Sequence, residues 1–541
     1  MAFIVPSSVI KGAAFRGLRQ YLRRTCDLGW IIELTPEGNR PPIATRLLGP
    51  DVGRQLSILI FARTAHSAPE SPAMVRYLEL HGTREEKTTA LAHLTTTGSH
   101  WHSCGTGWQD SFLPAADPQW AEFSLLGDLM PWRSRGITPG RTWVYAPSAE
   151  VLRTRWRTFL AASTEERRDL FREKENRTLQ SEVDALPGFP PVPCSLAEEI
   201  GPCHEPIQVA YRSFDRQWLI PDNRLLARAR PPLWQVRSDH QIYVSEQDAH
   251  EIADGPALVF SGLIPDLHHF NGWGGGGVRP LWHDDQGSVP NMTRDMLEHL
   301  RIRLGIPVSA DDVLAYIAAI TAHPEYTRRF RKHLRQPGVR VPLTADSMLW
   351  TRAVTIGREI LWLHTYGTRY VDPVAGRGHS ERALVERFGV RCLAAVRALP
   401  ERLAEHLDYD PRAQTLTVGS GTFAPVRQEV IDYTVSGRRI LWRWLNDRTS
   451  QPRNKRRTSS LDDITQASWN RELTLEFLAL LSVLTGCVLM HPEQDQVLTD
   501  VCRGPLIGQA DLAAAGVLPV PESAKKPPKP TRAGTLPLPD S

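Results

Sequence analysis

The order of apolar and polar positions predicts a strand at residues 2–6 (AFIVP), a short apolar run of the kind buried on both faces of a sheet. Ser7 and Ser8 follow with side-chain oxygens able to cap a helix. In that helix Phe15, Leu18, Tyr21 and Leu22 fall on one face, while Arg16, Arg19, Arg23 and Arg24 take the rest. Apolar runs at 30–34 (WIIEL) and 56–64 (LSILIFART) predict two more strands, separated by a Gly/Pro-rich loop. Strand, helix, strand in this order implies a parallel pair joined by a helical crossover. Such a unit exposes an open edge at 2–6 and an apolar face, and both call for strands supplied from elsewhere.

Beyond it, 75–81 (VRYLELH) alternates as a strand, 83–94 (TREEKTTALAHL) reads as a charged helix, and 141–145 (RTWVY) as a further strand. Charged helical sequence fills 151–176, and the proline-rich LPGFPPVP at 186–193 marks a domain boundary. From about 200 to 300 the texture changes to short apolar runs, turns and aromatics, and from 309 helices dominate. Ser309, three residues before Asp312, predicts the cap of one helix, and His323-Pro324 ends it and starts another. The apolar stretch 473–490 is interrupted by Glu476 and falls short of the ~20 uninterrupted apolar residues of a membrane span, so it is expected to be a buried helix. Residues 516–541, rich in proline and lysine without periodicity, are expected to be disordered.

At 541 residues the chain should form three or so domains, given roughly 100–200 residues for each. Its seven cysteines are odd in number, scattered and without a Cys-x-x-Cys pair, which implies reduced thiols in a cytoplasm and no disulfide framework. No basic region precedes the first apolar run, so no signal peptide is expected. A net charge of +4 says little by itself; where the charge sits says more.

The densest cationic segment is 210–237, AYRSFDRQWLIPDNRLLARARPPLWQVR. It holds six arginines, Arg212, Arg216, Arg224, Arg228, Arg230 and Arg237, against Asp215 and Asp222, an excess equal to the net charge of the whole chain. Arginine offers bidentate contacts to phosphates and guanine edges, and Trp218 and Trp234 add stacking surface. The plainer alternative is that Asp215 pairs with Arg212 or Arg216 and the tryptophans are core. A second cationic face is predicted on a helix over 327–335, where Arg328, Arg329, Arg331, Lys332 and Arg335 surround Phe330 and Leu334. It suits a phosphate backbone, or simply a solvated face. PRNKRR at 452–457 reads as a loop.

Metal and catalytic motifs are weaker. His93, His100, His102 and Cys104 lie close in sequence, but structural zinc draws four ligands from paired short spacings and no second pair follows. His268 and His269 beside Asp266 read as a loop cluster. The glycine run 274–277 has no preceding strand and following helix, so it reads as a flexible turn and not a nucleotide loop. Glu85-x-Lys87 is the one Glu-x-Lys resembling a nuclease motif, and no suitable Pro-Asp precedes it. No catalytic constellation, cofactor loop or metal site is therefore assigned to these residues.

Taken together, the segments resemble a known family. Residues 2–34 resemble the strand–helix–strand that follows the Asn-Pro-Pro-Tyr/Phe motif of N6-adenine DNA methyltransferases, and LSILIFART resembles the antiparallel last strand of that fold. VRYLELHGTREEK and RGITPGRTWVYAP resemble the connector of type ISP restriction–modification proteins. YRSFDRQWLIPDNRLLARARPPLW is similar to their "YRPFDxRW" segment, with Ser213 where proline is usual. PLWHDDQGSVPNMT, DDVLAYIAAITAHPEYTRRF, LWLHTYGTRYVDP and YTVSGRRILWRWLNDR continue the likeness in order.

The resemblance implies an α/β chain: a partial Rossmann-like methyltransferase sheet, then a mixed α/β specificity domain, then a helical C-terminal subdomain. The expected divisions are 1–70, a connector at 71–195, the DNA specificity domain at 196–450, the helical subdomain at 451–515 and a disordered tail at 516–541. The implied function is recognition of a duplex DNA site for adenine-N6 methylation in phage defence. Neither the family's methyl-donor loop nor its Asn-Pro-Pro-Tyr/Phe motif occurs in this sequence, and its helicase and nuclease segments are absent. The isolated chain is thus expected to be inactive, with S-adenosylmethionine bound only alongside a methyltransferase half on another polypeptide. DNA contact is expected at the arginines named above and at Arg328, Arg329, Arg331 and Lys332. A non-catalytic interaction protein of a defence system is the competing expectation.

Overall fold

A computed structural model describes the chain except for residues 39–40, 65–69, 115–116, 175, 193, 248–250, 271–274, 336–337, 400–406, 450–458 and 530–541. The basic run 452–457 therefore lies outside the described residues. The chain divides into two compact units, Met1–Ala121 and Glu122–Ser541.

In the first unit, β1 (Ala2–Pro6), β2 (Leu28–Glu33), β3 (Leu56–Ala62), β4 (Met74–Glu79) and β5 (His102–Ser103) form one sheet in the order β1-β3-β2-β4-β5. β1 and β2 run parallel in direction but do not pair, because β3 inserts between them antiparallel to both. The parallel ladder instead joins β2 to β4, with Leu28 opposite Met74. Ile31, Leu59, Phe61, Val75 and Tyr77 bury on one face of this sheet and Ile32, Leu34 and Leu80 on the other, as alternation along each strand requires.

The first helical region differs from its pattern. Ser7 makes no capping bond and its hydroxyl meets that of Ser57 at 2.7 Å. A short turn of helix ends at Gly12, and the main helix α1 spans Arg16–Thr25. It buries Arg19, Leu22 and Arg23, whereas Leu18 and Tyr21 stay exposed. The two guanidinium groups are buried because backbone carbonyls surround them. Arg19 donates to Val9 O at 3.0 Å and Gly12 O at 2.9 Å, and Arg23 to Gly105 O and Asp110 O, each at 2.7 Å. Five-donor arginine can fill such a carbonyl cage where leucine would leave it unsatisfied. Helix α2 (Arg84–Ala92) opens on a capping box between Thr83 and Glu86. Its Lys87 is fully buried against Leu34 O and the Glu37 carboxylate, a structural position and not a nuclease lysine.

The second unit is mixed α/β. Tryptophans dominate one core: Trp132, Trp143, Trp156 and Trp234 pack with Phe159 and Phe171. They lie around β6 (Ser134–Arg135), β7 (Tyr145–Ala146), α3 (Ala149–Ala161) and α4 (Thr164–Phe171). β8 (Ile207–Arg212) and β9 (Asp215–Leu219) form a hairpin whose outer partner is β7. β10 (Tyr243–Gln247), β11 (Leu258–Ser261) and β12 (Gly276–Pro280) make a second sheet in the order β11-β10-β12-β6. Gly276 and Gly277 are thus strand residues and not the flexible turn expected from the glycine run. A Cβ at Gly277 would stand 2.1 Å from Arg133 Nε, so any larger residue there would displace that guanidinium.

Helices α5 (Ala310–Thr321), α7 (Ser347–His364) and α8 (Arg471–Arg503) form the helical core, with the six-residue α6 (Pro324–Arg329) following α5. A Cβ at Gly357 of α7 would stand 1.7 Å from Ala315 O, so α5 and α7 touch backbone to backbone there. The Ser309–Asp312 capping box forms as predicted. α8 is long and apolar enough to cross a membrane by composition, yet most of its apolar stretch is buried in the protein, as a core helix requires. All seven cysteines are unbridged. In the C-terminal stretch Val517 and Val520 are buried, and residues 530–541 of the expected disordered tail lie outside the described residues.

Candidate nucleic-acid interface

The arginine-rich segment 210–237 splits into two parts with different surroundings. Arg212 leaves β8 to meet Asp266 at 2.5 Å and lies 3.8 Å over the Tyr211 ring. Burial opposes its charge, and Tyr211, Asp266 and Asp447 more than offset that, so its pKa is held above the ordinary arginine value. Arg216 pairs with Glu381 at 2.5 Å and stacks 3.8 Å over Tyr366. Arg224 is enclosed by Asp222 at 2.7 Å, Glu199 at 2.9 Å and Cys194 O at 2.7 Å. These three are internal ties. The expected pairing of Asp215 with Arg212 or Arg216 does not form; Asp215 meets Arg448 at 2.9 Å, which in turn holds Glu476 at 2.7 Å. Sequence distance hid that partner, 233 residues away.

Arg228, Arg230 and Arg237 have a different setting. Arg228 is exposed, and its backbone is fixed by a two-way bridge to Thr138, each N–H···O being 2.9 Å. Arg230 sits in the left-handed region at φ 60°, a conformation uncommon for a long side chain and found preferentially at functional sites. The next turn is locked by Trp234, whose indole N–H donates to Ala229 O at 2.7 Å. Arg230 Nε is buried without a hydrogen-bond partner among the described residues. Burial and the like charges of Arg228 and Arg135 all push its pKa down, with no carboxylate acting the other way. Arg237 is exposed, with its guanidinium 5.6 Å from the Phe189 ring.

Arg228 and Arg230 line a concave site of about 370 Å³ together with Trp132, Arg133 and Pro527. Arg133 and Ser134 come to it because β6 pairs with β12, Arg135 opposite Gly277 and Ser134 opposite Val278. Arg133 shares Glu246 with Arg279, both at 3.0 Å. Three arginines, Arg133, Arg228 and Arg230, thus line one open site beside the Trp132 indole. Such a surface suits an anionic backbone. Sequence reading missed Trp132 and Arg133; the one available signal was the short basic run PWRSR at 131–135.

The second predicted cluster is partly different from expectation. Helix α6 ends at Arg329, and 331–335 continue as turns, with Phe330 and Leu334 buried as predicted. Arg328 pairs with Glu325, Arg329 donates to Thr499 Oγ1 at 3.2 Å, and Arg331 lies 3.5 Å from Asp254. Lys332 is exposed. Elsewhere, His269 is buried and bonded to Ser245 Oγ at 2.8 Å, with burial pulling its pKa to about 3. His268 N and Tyr145 Oη both donate to Asp266 at 2.8 Å, while His268 Nδ1 is buried without a hydrogen-bond partner among the described residues. Cys104 is buried and its thiol is pushed up to about 12. Among the described residues no three His, Cys, Asp or Glu side chains are grouped to hold a metal.

The model of the Type ISP C-terminal specificity domain family matches residues 128–480. No curated protein matches the chain. Solved structures share its fold. One, a cryoEM structure of a DrdV-DNA complex, has a TM-score of 0.62 at 15% identity over 92% of this chain and 50% of that one. A nuclease-deletion mutant of the Type ISP restriction-modification enzyme LlaGI, in complex with a DNA substrate mimic, gives 0.59 at 16% over 92% and 38%. The ATP-dependent Type ISP restriction-modification enzyme LlaBIII bound to DNA gives 0.59 at 14% over 92% and 32%. The chain spans half or less of the length of each.

Proposed function

The chain belongs to the Type ISP C-terminal specificity domain family, and from that premise we propose that its second unit binds duplex DNA for a restriction–modification system. The observation that carries this reading is the site at which Arg133, Arg228 and Arg230 line one concavity open to solvent. Guanidinium groups there hold phosphates and set the register of the duplex, a contact that dominates affinity and carries no sequence code. Arg237 and the Arg331–Lys332 turn add further phosphate contacts. Base readout then falls to side chains in the groove. The DNA complexes among the structural neighbours accord with this reading.

The methylation step is the finer part of the proposal. The outer edge of β1 carries no partner strand among the described residues, and Phe3 and Ile4 are 55% and 53% exposed beside it. An unpaired edge flanked by exposed apolar residues favours strand addition. We assign it to the remainder of a Rossmann-like methyltransferase sheet, from a separate polypeptide or from upstream sequence, which brings the S-adenosylmethionine site and accepts the target adenine out of the stack. This chain then supplies positioning alone.

The test is duplex binding by the purified chain as salt is raised. Affinity should fall steeply between 50 and 200 mM salt, on the order of tenfold for each one or two phosphates engaged. A chain with no salt-sensitive affinity for duplex DNA overturns the proposal. Copurification with a methyltransferase segment, lost when Phe3 and Ile4 are both changed to Lys, tests the sheet-edge assignment separately.

A further inference from the structure

The C-terminal stretch returns to the arginine site. Val517 and Val520, 4% and 6% exposed, anchor it in the second unit. A turn follows, in which Ala524 N–H donates to Pro521 O at 3.0 Å and the Lys525 and Lys526 N–H groups donate to Glu522 O and Ser523 O at 3.3 Å. The chain then passes the short helix Pro231–Gln235, where Gln235 Nε2 donates to Lys529 O at 2.7 Å. Pro527 lines the same concavity as Arg133, Arg228 and Arg230. A strap 294 residues from Gln235 in sequence is thus tied to the rim of that site.

The strap carries charge of the same sign as the site. Its one acid between 516 and 529, Glu522, is taken up by Lys525 at 2.6 Å. Lys526 and Lys529 are exposed, and neither meets a carboxylate among the described residues. Their Cα atoms lie within about 7 Å of that of Pro527, one and two residues away. A segment that filled the site in place of a ligand would present an acid to the arginines. This one holds further cations there, a repulsive arrangement in the free protein that an anion spanning both relieves.

Proline sets the spacing of these cations. Lys526, Pro527 and Lys529 each precede a proline, which disfavours helical backbone and favours an extended strap. At three residues per polyproline turn and 3.1 Å per residue, Lys526 and Lys529 share one side about 9 Å apart. Such a strap is semi-rigid, so little freedom is lost when it binds.

We propose that the strap from Glu522 to Lys529 is a phosphate-binding arm of the arginine site, with Lys526 and Lys529 on the sugar–phosphate backbone of the duplex held by Arg133, Arg228 and Arg230. This rests on the DNA-binding reading above. It extends that reading to a segment beyond the span 128–480 matched by the family model.

The experiment compares the full chain with two double variants, Lys526→Ala with Lys529→Ala and Lys526→Arg with Lys529→Arg. The alanine pair should make the log–log salt dependence of duplex affinity shallower by about 2, and the arginine pair should keep the original slope. All three should melt at the same temperature. In the unaltered chain, duplex should slow acetylation of Lys526 and Lys529 several-fold, read by mass spectrometry. An unchanged slope in the alanine pair, tighter binding by it, or acetylation that duplex leaves unchanged or speeds up would overturn the arm. Where the unaltered chain still binds duplex in a salt-sensitive way, only the arm has failed. An unaltered chain with no such affinity overturns the DNA-binding reading and the arm with it.

Discussion

The two ends of one arginine-rich stretch do opposite work. Arg212, Arg216 and Arg224 are buried and matched by Asp266, Glu381, Asp222 and Glu199. Arg228 and Arg230, a few residues on, face a shared concavity with Arg133, and the like charges of Arg228 and Arg135 bear on Arg230. Identical side chains thus serve the fold in one half and are available to a ligand in the other. What separates them is the set of distant residues that each meets, since a guanidinium gains little from water-exposed pairing and much from an enclosed carboxylate.

The largest expected effect lies on the buried side. Arg224→Ala strips the partner from Asp222 and Glu199 and should cost about 3–5 kcal/mol in denaturant unfolding. A loss below about 1 kcal/mol would place Arg224 with the ligand-facing group and break the comparison.

Acid should act on the same half. An unfolded histidine binds its proton near pH 6.5, whereas burial holds His269 and His364 at about 3. Between those values the unfolded chain binds more protons, so stability is complete above pH 6.5 and declines as pH falls toward 3. Each histidine contributes a slope of up to about 1.4 kcal/mol per pH unit. His269→Phe should flatten the measured slope, and an unchanged slope would contradict the buried neutral state.

On the exposed side the effects move to binding. The double change Arg228→Ala with Arg230→Ala should leave the melting temperature within a degree or two. It should also make the log–log salt dependence of duplex affinity shallower by about 2. A destabilised double variant with unchanged salt dependence reverses the assignment. The smallest effect is expected at Arg237→Ala, whose guanidinium lies 5.6 Å from the Phe189 ring. It should lower the salt slope by at most about 1 and leave unfolding unaltered.

Much of the framework was legible beforehand. The strands at Ala2–Pro6, Leu28–Glu33 and Leu56–Ala62, the capped helix after Ser309 and the buried helix carrying Glu476 all follow from local pattern. The likeness to the specificity family also holds across residues 128–480. Other features were hidden for identifiable reasons. The pattern of α1 suggested a leucine–tyrosine core face, yet carbonyls from 105 and 110 enclose Arg19 and Arg23 and turn the helix the other way. The glycines that open β12 read as a turn because the arginine crossing above them is nearly 150 residues upstream.

The sequence by itself determined where strands and helices form, because periodicity and capping act between residues only a few positions apart. It also determined that a local surplus of arginine exists within 210–237. Only the tertiary structure decided which of those arginines remain for a ligand. Their partners, Asp266, Glu381, Glu199 and the Arg133 that completes the open site, arrive from 54, 165, 25 and about 95 residues away. Charge pairing depends on distance in space, and nothing in the local pattern encodes that distance.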